Sequence, residues 1–201
     1  MDTAHLIAAL RKIAAKIDSE KDFLTRLDND IGDGDHGINL ARGFSAVVQK
    51  LDGLTDKTPG DILKNVGMTL VSTVGGASGP LYGTAFMRLG GAFGEKTEPA
   101  FSDFLTGFQS AIDGIRARGR ADAGDKTMLD AMIPALEAMT GKDPSAAWKA
   151  GAEAAWKGVE YTKTIAAKKG RASYLGDRSI GHQDPGATSF AMMLETFGAC
   201  V

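Results

Sequence analysis

Between residues 27 and 39 the chain reads L-D-N-D-I-G-D-G-D-H-G-I-N, so four acids, Asp28, Asp30, Asp33 and Asp35, fall within eight residues. Two like charges ~4 Å apart repel by about 1 kcal/mol in water and by several times that at a partly buried site. The glycines between them let the backbone fold the carboxylates together, and something positive must then sit among them. Hard oxygen donors suit magnesium or calcium rather than zinc. The calcium loop of an EF-hand does not fit. Counted from Asp28, the sixth position is Asp33 instead of glycine and the twelfth is Asn39 instead of glutamate. Gly32-Asp33-Gly34-Asp35-His36-Gly37 matches G-x-G-x-x-G letter by letter, but that motif seats a pyrophosphate on bare amides after a β-strand. No strand-like run precedes it, and its two aspartates would repel an unaccompanied phosphate. No G-x-x-x-x-G-K-[ST] is present. If phosphate binds here, metal ions must bridge it to the acids, as magnesium does in phosphoryl transfer by linking phosphate oxygens and offsetting their charge.

Further segments carry chemistry with a plainer alternative beside it. Gly75-Gly76-Ala77-Ser78-Gly79-Pro80 is either an anion seat, through free amides at a helix N-terminus, or a tight turn between helices. The stretch from Gly119 to Met128 offers Lys126 in a loop before a helix start. Arg171, in G-R-A-S-Y-L-G, suits a phosphate or is a surface charge. Asp184-Pro185-Gly186 reads equally as a helix cap. His5 and His182 have no obvious partner and are expected to be structural or exposed. Met128, Met132, Met139, Met192 and Met193 are expected to fill gaps in the core.

The elements that must position these groups are helical. Ile7, Leu10, Ala14 and Ile17 recur at helical steps, and Ile38, Phe44, Val47, Val48 and Leu51 mark a second helix after a loop at 28–37. Thr58-Pro59-Gly60-Asp61 starts a third, with Leu63, Val66, Leu70 and Val74 as its stripe. Stripes follow from Leu81 to Phe93, from Phe101 to Ile115 and from Met128 to Met139. Asp143-Pro144 and Asp184-Pro185 repeat the cap-and-proline start before the last two stripes. The pattern predicts about eight helices, no strand, and one domain over 1–201. Loops are expected at 28–37, 75–83, 117–126 and 170–186. Glycine, 26 of 201 residues, is about twice as frequent as usual, and is expected where the backbone turns sharply or approaches something closely.

Composition narrows the function. At 43% hydrophobic and 24% charged residues the chain is of ordinary globular character. A net charge of −2 argues against nucleic acid, whose binders carry a basic face. The single cysteine, Cys200, cannot pair within the chain, which points to a reducing compartment. No apolar run approaches the ~20 residues that cross a bilayer, so a cytoplasmic location is expected.

Taken together, L-D-N-D-I-G-D-G-D-H-G-I-N, G-G-A-S-G-P, G-D-K-T-M-L-D, G-R-A-S-Y-L-G and D-P-G-A closely resemble the dihydroxyacetone kinase L family, in family order from residue 27 to 187. The resemblance implies an all-α, eight-helix antiparallel barrel with a nucleotide at one rim. It implies two magnesium ions held by Asp28, Asp33 and Asp35, with Asp30 outside the set. His36, Gly37, Ile38 and Asn39 would meet the phosphates, and Ala77 and Ser78 would lie in the phosphate loop. Gly119 and Met128 would border the base, while Arg171 and Asp184-Pro185-Gly186 would close the site. The implied cofactor is ADP, a resident coenzyme that becomes ATP on receiving a phosphoryl group from a phosphotransferase-system protein. The group then passes to dihydroxyacetone on a separate K subunit, which carries the substrate histidine, so no catalytic nucleophile is expected here. ATP-dependent action on a related ketose such as erythrulose, or a non-catalytic nucleotide-binding regulator that contacts a transcription factor, are the alternatives. The oligomeric state, a homodimer among the options, is left open.

Overall fold

Leu6, Ala9, Leu10, Ile13, Ala14 and Ile17 form the buried face of the first helix, α1 (Thr3–Ser19), which Asp2 caps by accepting the His5 N–H at 2.9 Å. The computed structural model describes residues 1–201 and has no strand. After α1 come α2 (Lys21–Ile31), α3 (His36–Leu51), α4 (Pro59–Thr73), α5 (Ser78–Phe93), α6 (Phe101–Gly119), α7 (Leu129–Met139), α8 (Pro144–Thr162) and α9 (Pro185–Gly198), with short 3-10 segments at Asp52–Leu54 and Arg171–Ser179. No helix is long and apolar enough to cross a membrane.

The helix that the apolar pattern does not announce is α2. Only Leu24 and Ile31 of its eleven residues are buried, so it shows no stripe. Its last turn takes up Asp28 and Asp30, and the expected loop at 28–37 shrinks to 32–35. Helix also reaches further than expected at 78–83, now inside α5, and at 117–119, the end of α6. Proline opens α4, α8 and α9. Thr58 and Asp184 cap their helices by accepting the N–H of Asp61 at 3.2 Å and of Ala187 at 2.7 Å, whereas Asp143 makes no such bond.

Neighbour contacts close on themselves in the order α1, α3, α4, α5, α6, α7, α8, α9 and back to α1, while α2 lies against α3 and α9. An apolar cavity on the inside is lined by Leu10, Ile13, Phe86, Phe93, Phe108 and Met132, among others. The glycine excess serves this packing as well as the loops. A Cβ on Gly67 would stand 2.6 Å from the Gly83 carbonyl oxygen, and one on Gly83 would stand 2.8 Å from that of Gly67. Gly60 and Gly90 repeat the arrangement one level along, where a Cβ on Gly90 would lie 2.5 Å from the Gly60 oxygen. The α4–α5 pair is therefore backbone against backbone, an approach no side chain would permit.

Candidate functional site

Asp28, Asp33 and Asp35 each present a carboxylate oxygen within 4.8 Å of the other two. Local chain geometry explains how they meet. Asp28, near the end of α2, accepts the N–H groups of Asp35 at 2.9 Å and His36 at 3.1 Å through Oδ2, folding the loop back over its own helix. Gly32 makes room for this: a Cβ there would lie 2.1 Å from Asp28 Oδ1. Gly34 takes the left-handed φ of +72°, which glycine adopts at no steric cost. Asp30 points elsewhere. It is outside the cluster, and its carboxylate lies 3.6 Å from His182 Nδ1.

The cluster forms one side of an open cleft of about 1100 Å³. The N-termini of α3, α5 and α9 all reach it, through His36, Ser78 and Pro185-Gly186. Aligned peptide dipoles give each such end a partial positive charge and free N–H groups, a setting that favours anions. Gly37 and Ile38 in α3, like Ser78 and Gly79 in α5, have amides that find no acceptor within the chain. An apolar wall of Leu81, Ile115, Ala121 and Met128 faces the carboxylates, with Gly119 beside it. Arg171 and Lys169 stand at the mouth, and Arg171 Nε lies 2.7 Å from Asp33 Oδ2.

Asp28, Asp33, Asp35, His36, Ala77, Ser78, Gly119, Met128, Arg171, Asp184, Pro185 and Gly186 therefore come together in one cleft. Gly37, Ile38 and Asn39 do not line it with side chains. Gly37 is pressed onto α2, where a Cβ would meet the Lys21 carbonyl at 1.9 Å. The Ile38 side chain is exposed. Asn39 is buried, accepts from Arg42 Nη2 at 2.6 Å, and lies under Gly75. What Gly37 and Ile38 can offer a phosphate is their amides.

His36 is also bound up within the protein. Its Nδ1 lies 3.0 Å from Ser78 Oγ and its Nε2 lies 2.9 Å from Ser189 Oγ, which in turn lies 2.7 Å from the Tyr82 hydroxyl. The ring is a strut that ties α3, α5 and α9 at their cleft ends. Burial holds the imidazole below its usual pKa, so it is neutral and one of its nitrogens accepts. Asp184 is partly buried at the α9 N-terminus, and its desolvation there pushes its carboxyl up to about 7. Lys126, placed in a loop by the sequence, turns its ammonium inward to four backbone carbonyls. Of the other histidines, His5 is exposed and pairs with Asp2 at 2.8 Å. Sequence reading missed Tyr82, Ser189 and Lys169. The basic run Lys168-Lys169-Gly170-Arg171 was a usable signal for Lys169. None existed for Ser189, which meets His36 across 153 positions.

These residues fit a divalent cation. The donors are all carboxylate oxygens, their oxygens already converge, and the Arg171 guanidinium resting on Asp33 marks a place that calls for positive charge. Fold and site together define an all-helical protein with a cleft equipped for an anion bridged by cations. Its kinship agrees: the chain belongs to the DAK2 domain family, whose model matches residues 30–199. It is 47% identical to the ADP-binding subunit of the PEP-dependent dihydroxyacetone kinase of Escherichia coli, covering 88% of this chain and 87% of that one. It is 42% identical to the ADP-binding subunit of the PTS-dependent dihydroxyacetone kinase of Lactococcus lactis, covering 93% and 92%. The crystal structure of dihydroxyacetone kinase from C. freundii in complex with AMP-PNP and Mg2+ superposes with a TM-score of 0.75 at 25% identity. That match covers 98% of this chain and 34% of the larger kinase.

Proposed function

We propose that this chain, read as one domain over 1–201, is the ADP-binding subunit of a dihydroxyacetone kinase and acts as its phosphoryl carrier. The observation that carries the reading is the convergence of Asp28, Asp33 and Asp35 at a cleft that also receives three helix N-termini. Carboxylates alone would repel a nucleotide, and helix ends alone would not need them; together they suit a phosphate chain with divalent cations between. Asp28, Asp33 and Asp35 would hold two magnesium ions, whose charge would offset that of the phosphates.

The protein's own residues do the positioning. The amides of Gly37, Ile38, Ser78 and Gly79 are free to donate to phosphate oxygens. Met128, Leu81 and Ile115 offer an apolar surface to the base. Arg171 can release Asp33 to a metal ion and turn its guanidinium to phosphate. The one histidine in the cleft has both ring nitrogens engaged, with Ser78 and Ser189, so it serves as a strut and not as a phosphoryl acceptor. The acceptor sugar must then be held by a partner, a K-type subunit, with a phosphotransferase-system protein as the donor. The names of the two relatives support both assignments.

Calorimetric titration with ADP tests the nucleotide reading. Binding is expected with magnesium present and is expected to vanish in EDTA. Equal affinity with and without magnesium would remove the aspartates from the site.

A further inference from the structure

The segment between α8 and α9 carries Arg171 to the mouth of the cleft, yet little apolar packing holds it. Of the 3-10 turn Arg171–Ser179 only Ser179 is buried. What holds it is Lys126. This residue is almost wholly buried and sits at φ +61°, in the left-handed region that disfavours residues with a Cβ. Its Nζ lies 2.6 Å from Thr162 O, 2.7 Å from Ser179 O, 2.5 Å from His182 O and 3.3 Å from Ile165 O. An ammonium has three protons to give and accepts nothing, so these four converging oxygens are matched by charge as well as by hydrogen bonds. The carbonyls come from both ends of the segment, with Arg171 between them. Two further bonds tie the same strand of chain: Asp125 O accepts the Lys168 N–H at 3.1 Å, and Ser179 Oγ accepts the Ala167 N–H at 2.8 Å.

We propose that Lys126 is a positioning residue, an internal cation that clamps residues 162–182 and so holds Arg171 against the acidic cluster. The clamp is read from the structure alone; its effect on ligand rests on the nucleotide reading above. Hydrogen exchange without nucleotide isolates the first part. In Lys126→Met, which keeps the stem and loses the charge, amides at 163–184 should exchange at least about tenfold faster while α4 and α5 stay protected. Unchanged exchange there overturns the clamp, whatever the ligand.

Magnesium-dependent ADP binding tests the second part, using Lys126→Gly to remove the ammonium and relieve the left-handed strain together. Affinity should fall about 10- to 100-fold, the range for losing a residue that orients a ligand, and n-butylammonium should restore part of it. If Lys126 acts through Arg171, its removal in an Arg171→Ala background should cost less than about threefold, because shared effects do not add. Full additivity, or wild-type affinity in Lys126→Gly, overturns the proposal. If wild type itself does not bind ADP, the function proposed above fails and the exchange measurement decides the clamp.

Discussion

Asp30 and Asp33 carry the same carboxylate, yet the fold gives them different company. Asp33 stands in the cluster under Arg171, and Asp30 faces the half-exposed His182. A cation site contributes several kcal/mol, so Asp33→Asn or Asp35→Asn should weaken magnesium-dependent ADP binding by about two orders of magnitude while the chain stays folded. Asp30→Asn should change it little. Titration calorimetry on the three variants checks this, and equal losses at Asp30 and Asp33 would mean a different ligand set. Asp184 makes a separate forecast. Its carboxyl is pushed up to about 7 by burial, from an ordinary value of 3.8. Below the ordinary value it is protonated in folded and unfolded chains alike. As pH rises, the unfolded chain ionises first and the folded chain only near 7, so stability is lost across that window. Asp184→Asn keeps an acceptor for Ala187 and has no charge to bury. Thermal unfolding in EDTA should show wild type losing stability relative to this variant between about pH 4 and 7; parallel curves would contradict it. At this scale the acids were legible, because charge crowding in a short glycine-rich loop is a local property. The His36–Ser189–Tyr82 network was not, because each partner comes from a distant helix.

Helices declare themselves in sequence when their buried face is continuous, and α1, α3 and α4 did so. With two buried residues, α2 did not, although it supplies Asp28. Glycine misled for a related reason. In loops it reads as a turn, but at Gly67 and Gly83 it is a contact surface whose partner cannot be seen along the chain. The distinction is measurable within one helix. Gly83→Ala would drive a methyl to 2.8 Å from the Gly67 oxygen and should destabilise the protein by about 1–3 kcal/mol despite better helix propensity. Gly91, also in α5, has nothing within 4 Å of a would-be Cβ. Gly91→Ala should stabilise by about 0.5–1 kcal/mol. Urea unfolding of both variants checks the pair, and shifts of the same sign would refute the backbone-against-backbone account of α4 and α5.

Over the whole molecule, closing the ring of helices brings the starts of α3, α5 and α9 to the same end, next to the acids at the end of α2 and in the loop that follows it. The sequence held each start signal separately, but their shared end of the molecule depends on which helices become neighbours. The finished cleft provides carboxylate oxygens, amides, cations and an apolar wall, a set suited to a nucleotide. Positioning the two reactants supplies much of the barrier reduction in phosphoryl transfer, so a carrier without a held acceptor should be nearly idle. The direct measurement is formation of triose phosphate in a coupled assay containing this chain, ADP, magnesium, dihydroxyacetone, a K-type subunit and a phosphotransferase-system donor, with each component omitted in turn. The account predicts turnover only when all are present. Robust phosphorylation of dihydroxyacetone by this chain with ATP alone would contradict it and make the protein a self-sufficient kinase.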